Sequence, residues 1–99
     1  MSEHNGGCHC GKVKFTAKDP IISVACNCQR CRKLSGSLHL GVIFNEENFS
    51  VNGELSSYEY IGGSGNKVQS KFCNVCGSKI YSKAELFEGL VSVKLGVLD

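Results

Sequence analysis

The 99-residue sequence lacks a long apolar run, a strong excess of charge of either sign, and any internal repeat or low-complexity segment. Because a helical membrane span needs about 18 or more consecutive apolar residues, the first absence excludes such a span. Lysine and arginine number 11 against 9 aspartates and glutamates, so the formal net charge of +2 indicates no dedicated nucleic-acid surface. The absence of repeats excludes a solenoid. We therefore expect one small domain spanning residues 1–99.

No export signal is visible at the start of the chain. Residues 1–7 are polar, with no basic segment, apolar segment or small-residue cleavage site. We therefore expect a cytoplasmic protein, in which cysteines stay reduced. The seven cysteines also argue against disulfides, because an odd number would leave one thiol unpaired. Metal binding is the better interpretation.

The cysteines fall into three tight clusters: Cys8-x-Cys10, Cys26-x-Cys28-x-x-Cys31 and Cys73-x-x-Cys76. Two thiolates one or two residues apart can reach one tetrahedral ion with little strain, and a second such pair completes the shell. The first and third clusters form such a four-thiolate zinc set. Gly11 and Gly77 each follow the second cysteine of a pair, where a metal-binding knuckle often needs positive φ. Structural zinc would stabilise a domain whose core is otherwise marginal.

The middle cluster supplies three thiolates and no obvious fourth ligand. Structural zinc sites have four protein ligands, whereas catalytic sites keep one position open for water or substrate, and three thiolates fit the open case. Two alternatives remain: a histidine closes the shell, with His39 favoured over His9 and His4, or the cluster holds no metal. Basic residues surround this cluster at Arg30, Arg32 and Lys33, either as a solvated face or as a site that attracts carboxylates.

Strand patterns dominate the rest of the sequence. Strands are predicted by alternation or short apolar runs at residues 12–16, 22–25, 38–44, 55–60, 67–72 and 90–95. One short helical turn is predicted over residues 29–34. The five phenylalanines and three tyrosines lie at strand spacing, so we expect them in the core. The fold class is mainly β, with antiparallel sheets.

Three motifs in order resemble one known family. They are Gly6-Gly-Cys-His-Cys-Gly11, Cys26-Asn-Cys-Gln-Arg-Cys-Arg-Lys33 with Ser35-Gly36 following, and Phe72-Cys-Asn-Val-Cys-Gly-Ser78. This set resembles the glutathione-dependent formaldehyde-activating enzyme family, which also contains centromere protein V, over nearly the whole chain. The resemblance implies a zinc-stabilised β-tent of packed antiparallel sheets. It also implies two zinc sites: a structural one on Cys8, Cys10, Cys73 and Cys76, and a catalytic one on Cys26, Cys28 and Cys31.

The implied activity is that of a zinc-dependent carbon–sulfur lyase, S-(hydroxymethyl)glutathione synthase, with glutathione as co-substrate and formaldehyde as its partner. A thiol that coordinates zinc loses its proton, so zinc would hold glutathione as a thiolate. The sequence departs from the family at Asn27, where members often carry histidine, and at Asp99, beyond which members usually continue for some tens of residues. No catalytic side chain, general base or oligomeric state is predicted.

Two other kinds of function remain open at this stage. One is a non-catalytic zinc-binding interaction module or a glutathione carrier. The departure at Asn27 and the early C-terminus favour this alternative. The other is a thiol redox sensor built on Cys28-x-x-Cys31, which would need a metal-free thiol pair of low pKa.

Overall fold

A computed structural model describes residues 2–63 and 65–99. The glycine-rich segment of residues 62–66 predicts a turn, and its Ser64 lies outside the described residues. The described elements are one helix and nine strands: β1 (Glu3–Gly7), β2 (Lys14–Lys18), β3 (Ile22–Cys26), α1 (Gln29–Ser35), β4 (His39–Asn45), β5 (Phe49–Asn52), β6 (Leu55–Ile61), β7 (Lys67–Cys73), β8 (Lys79–Ala84) and β9 (Leu90–Lys94). Three short 3₁₀ turns cover Glu46–Asn48, Glu85–Phe87 and Leu95–Val97.

The strands form two antiparallel sheets. The smaller sheet has the order β1-β2-β5, and the larger has the order β3-β4-β9-β8-β7-β6. The expected mainly β, antiparallel architecture in a single compact domain is therefore confirmed. Three strands, β1, β5 and β8, were not predicted. β1 has two glycines and no apolar side chain, so only its pairing with β2 makes it a strand.

The core lies between the two sheets. Phe15 and Ala17 of β2 are buried against Phe44 of β4 and Val91 and Val93 of β9. Rings of both sheets extend this contact, because Phe49 packs on Phe15 at 5.5 Å and on Tyr81 at 4.7 Å between ring centroids.

The prediction that all the aromatic side chains lie in the core was wrong for two of them. Phe87 is 58% exposed and Tyr58 is 51% exposed. Tyr58 lies on β6, where strand spacing alone cannot tell which face of the sheet is covered, and Phe87 lies on a 3₁₀ turn rather than on a strand.

Helix α1 confirms the predicted helical turn and extends it to Ser35. Cys28 is its N-cap: the Cys28 Sγ atom accepts a hydrogen bond from the Cys31 backbone N–H at 3.4 Å. The helix ends at Gly36, which adopts φ of 78°, a conformation that glycine reaches without a steric penalty. No helix in the described part of the chain is long and apolar enough to cross a membrane.

Candidate metal centres

The first centre joins the two sheets. Cys8 and Cys10 lie in the turn between β1 and β2, Cys73 ends β7, and Cys76 lies in the turn before β8. The four Sγ atoms all lie within 4.8 Å of one another. Cys73 is almost fully buried, with 1% of its surface exposed, and all seven cysteines of the chain are free. The structure thus brings together the four cysteines that the sequence grouped.

The sulfur geometry fits a tetrahedral ion. The Sγ atom of Cys10 lies 3.5 Å from that of Cys8 and 3.7 Å from that of Cys73. Four thiolates at about 2.3 Å from one zinc ion would lie about 3.8 Å apart, so the observed separations leave room for such an ion. Backbone N–H groups also point at the sulfurs, from Val13 to Cys8 at 3.2 Å and from Val75 to Cys73 at 3.4 Å. These bonds stabilise thiolate charge.

Both knuckles turn at the predicted glycines. Gly11 has φ of 84° and Gly77 has φ of 78°, which confirms the prediction of positive φ after each cysteine pair. The Gly11 N–H donates to the carbonyl of Cys8, and the Gly77 N–H donates to the carbonyl of Cys73. A side chain at either position would be strained whatever space surrounds it.

Ser78 supports the most exposed part of this centre. Its hydroxyl lies 3.2 Å from the Sγ atom of Cys76, and this contact is the main cause that lowers the pKa of Cys76 to about 5. The same oxygen accepts a hydrogen bond from the His9 backbone N–H at 3.2 Å, so Ser78 links the two knuckles. His9 itself is exposed.

The second centre lies where β3 meets α1. Cys26 ends β3, Cys28 caps the helix and Cys31 lies in its first turn, and the three Sγ atoms lie within 4.8 Å of one another. Among the described residues, no histidine, cysteine or carboxylate joins this group as a fourth ligand. His39, the favoured fourth ligand, lies opposite Cys26 on β4 but outside the group. The described cluster therefore has three protein ligands.

The charge of three neighbouring thiols favours a bound cation. The Cys31 N–H, followed by the hydrogen bonds of the other two thiols, lowers the pKa of Cys28 to about 7. Burial, followed by the same thiol contacts, raises the pKa of Cys31 to about 12. Three thiolates repel one another, so a divalent cation is what allows all three to ionise together. The donor set fits zinc.

A small polar cavity of about 50 Å³ adjoins this second centre. Its lining residues come from α1 and five strands of the large sheet: Cys31, Leu34, Ser35, His39, Tyr60, Ser70, Lys79, Ser82 and Lys94. Lys94 donates hydrogen bonds from Nζ to Ser35 Oγ at 2.7 Å and to His39 Nδ1 at 2.8 Å. Because lysine only donates, His39 must accept on Nδ1, so its ring is neutral with the proton on Nε2.

The surroundings in this cavity lower the pKa values of both His39 and Lys94. Burial, followed by the nearby charge of Lys94, lowers the pKa of His39. Burial also lowers the pKa of Lys94. The charge of Cys31 acts in the opposite direction and raises this pKa, whereas the charge of Lys79 lowers it further. No sequence pattern identifies Lys94 as a site residue, because one lysine at the end of a strand resembles any solvent-exposed lysine.

Two basic residues border an open depression on the other side of the second centre. Arg30 and Lys33 line it together with Cys28 and Gln29, and both are exposed. Arg32 is exposed in the last turn of α1 and is not among the lining residues. The basic cluster thus divides into two residues that line the depression and one that does not.

The fold and the two cysteine clusters define a small, mainly β protein with two centres that could hold metal, one closed by four thiols and one with three. The profile of the family described as glutathione-dependent formaldehyde-activating enzyme matches residues 3–99. This chain belongs to that family, which confirms the resemblance of its motifs. The chain is also similar to a Rhodobacter sphaeroides protein solved by a structural genomics consortium. The TM-score is 0.75 at 20% identity, over 96% of this chain and 87% of the other, which shows a shared fold.

Proposed function

We propose that this chain is a zinc-dependent carbon–sulfur lyase similar to S-(hydroxymethyl)glutathione synthase, acting on glutathione and a small aldehyde such as formaldehyde in the reduced cytoplasm. Membership in the family supports the reaction class. The observation that carries the proposal is the three-thiol cluster beside a polar cavity, with no fourth ligand among the described residues. Zinc held by three protein ligands keeps a fourth coordination position that a water molecule or a substrate can occupy.

Cys26, Cys28 and Cys31 would hold the zinc of this site. When bound, the ion would act as a Lewis acid that lowers the pKa of an incoming thiol and keeps it as a thiolate. The helix supports these ligands, because Cys28 is fixed by its capping bond to the Cys31 N–H. The helix therefore places Cys31 in the lining of the cavity, beside the other two thiols.

Lys94 is our candidate for stabilising the oxygen that gains charge during addition. Two of its three N–H donors are used by Ser35 and His39, which fix the position of the ammonium group. The remaining donor is available to a ligand in the cavity that Lys94 lines with Cys31. A fixed cation in a partly buried site stabilises an oxyanion more strongly than it would in water.

Arg30 and Lys33 are our candidates for binding the carboxylates of glutathione. Both line the depression that also contains Cys28, so a carboxylate bound there would lie beside the cluster. Arginine suits this role because its guanidinium group binds a carboxylate through two parallel hydrogen bonds.

The proposed step balances without a further reactant. The sulfur of the thiol forms a bond to the carbonyl carbon, the carbonyl π bond breaks, and the thiol proton ends on the new hydroxyl oxygen. Cleavage is the same step in reverse. The chain's own part is to orient the two reactants and to stabilise charge on oxygen.

Calorimetric titration of glutathione into the zinc-replete protein tests the proposal, with Cys28→Ser and Lys94→Met variants alongside. We expect saturable binding in the wild type and none in Cys28→Ser. We expect Lys94→Met to bind glutathione but to add it to formaldehyde at least about tenfold more slowly, because one oxyanion donor is removed. No binding to any of the three proteins would contradict the proposal. Binding without faster addition than in buffer would instead indicate a glutathione carrier.

A further inference from the structure

An apolar groove runs along the outer part of the large sheet, next to the polar cavity. Its volume is about 420 Å³, and its walls include Ile22 and Val24 of β3, Ile43 of β4, Phe87 and Leu90. Phe87 is 58% exposed and Ile22 is 59% exposed, so large apolar side chains face open space here. None of the described lining residues carries a charge.

The groove lies beside the polar cavity. Ser82 lines both, and it pairs with Ser92 of β9, which lies on the floor of the groove. Ser92 and Lys94 are two residues apart on one strand, so they lie on the same face, about 7 Å apart along it. The near end of the groove therefore lies beside the cation that we place at the reacting oxygen.

Side chains pack closely at the boundary between the two spaces. Gly41 faces Lys94 across β4 and β9, and a Cβ atom there would lie 2.7 Å from Ser92 Oγ and 3.2 Å from the His39 ring. The Ser92 hydroxyl is buried and has no hydrogen-bond partner among the described residues. This hydroxyl would gain a hydrogen bond if the Ser92 side chain turned toward a polar atom of a ligand in the groove that Ser92 lines.

We propose that the groove binds the hydrocarbon chain of a straight-chain aliphatic aldehyde, or of its thiol adduct, while the carbonyl carbon lies at the three-thiol site. This inference rests on the proposed function and narrows its substrate class. Formaldehyde carries only hydrogen atoms on its carbonyl carbon, so its adduct would have no hydrocarbon chain to place in the groove. A volume of this size and an apolar lining with few polar atoms are typical of small-molecule sites. The chemistry stays a balanced addition: the thiol sulfur bonds to carbon, and its proton passes to the carbonyl oxygen.

The test measures binding of stable adduct analogues to the zinc-replete protein by calorimetry. S-methylglutathione mimics the adduct of formaldehyde, whereas S-butylglutathione and S-hexylglutathione mimic adducts of longer aldehydes. Each methylene group that leaves water should tighten binding about two- to fourfold, so we expect the hexyl compound to bind at least about thirtyfold more tightly than the methyl compound. Glutathione itself is titrated in parallel.

Two neighbouring residues supply a matched pair of variants. Phe87 lines the groove, whereas Leu86, which is 54% exposed on the same 3₁₀ turn, does not. We expect Phe87→Ser to reduce the hexyl-to-methyl affinity ratio at least about threefold and Leu86→Ser to leave it unchanged, because only Phe87 would contact the chain. Both side chains are exposed, so neither change should prevent folding.

The possible results distinguish a failure of the groove assignment from a failure of the proposed lyase function. Equal affinity for glutathione and for all three analogues would overturn the assignment of the groove and leave the lyase proposal intact. Failure of every compound to bind would overturn both. A dimer in light scattering that dissociates in Phe87→Ser, with no effect of chain length, would assign the groove to a second copy of the chain and overturn the ligand assignment.

Discussion

Replacement of the buried ligand Cys73 by serine should unfold the protein or bring it close to unfolding. The four-thiol centre ties the two sheets together, and the contact between Cys10 and Cys73 spans 63 residues of chain. A cross-link that closes a loop of this length removes about 4 kcal/mol of chain entropy from the unfolded state. A domain of about 100 residues has a total free energy of unfolding of about 5–15 kcal/mol, so the loss is a large fraction of it.

Thermal unfolding followed by circular dichroism, with zinc content measured on the same samples, checks this prediction. At about 4–8 °C per kcal/mol, Cys73→Ser should lower Tm by about 15–30 °C. Cys28→Ser is the matched control, since its contact with Cys31 spans only three residues and constrains little of the unfolded chain. We expect the control to lose zinc from the second centre with a Tm change of a few degrees. Equal Tm losses in both variants, or an unchanged Tm in Cys73→Ser, would refute the reasoning.

Three further predictions follow from single contacts. Ser78→Ala should lower zinc affinity at the four-thiol centre about tenfold or more, because the hydroxyl that orients the Cys76 thiol is lost. A chelator competition measures this affinity, and Ser78→Thr, which keeps a hydroxyl, should restore it. Burial raises the pKa of Tyr81, so the unfolded state loses its proton first as pH rises through about 10, and stability should fall there. Melting curves at pH 8 and pH 10.5 should show less of this loss in Tyr81→Phe, and equal losses would contradict the assignment. The double variant Arg30→Glu with Lys33→Glu should abolish glutathione binding in calorimetry, because both residues line the depression beside Cys28. Arg32→Glu, outside that lining, should retain binding. Unchanged affinity in the double variant would exclude Arg30 and Lys33 as carboxylate ligands.

The two centres differ in what holds them in place. The four-thiol centre draws on two sheets and on residues far apart in the chain, so it depends on the folded core and contributes to it. The three-thiol centre lies within six consecutive residues, at an edge strand and a seven-residue helix. Its ligands are therefore positioned mainly by local geometry. A site of this kind can exchange ligands without unfolding the domain.

The cysteine motifs allowed both groups that could hold metal to be identified without a structure. Ligand spacing of one or two residues restricts the local backbone so strongly that the pairs, and the glycines that close each knuckle, follow from short-range geometry alone. The predicted strands from β2 to β9, apart from β5 and β8, and the helix α1 also followed from local patterns. β1 did not, because a strand without apolar residues is specified by its partner rather than by its own sequence.

The surroundings of the three-thiol centre were decided by tertiary structure. Lys94 and Cys31 are far apart in sequence, and only the position of β9 in the large sheet brings them to one cavity. The exposure of Phe87 and the groove beside it depend on where the folded chain places the 3₁₀ turn of residues 85–87 relative to the large sheet, which no local sequence pattern specifies. The sequence alone determined which atoms can bind metal, because ligand spacing is a short-range property. Which side chains meet a substrate there depends on long-range packing, which only the folded structure supplies.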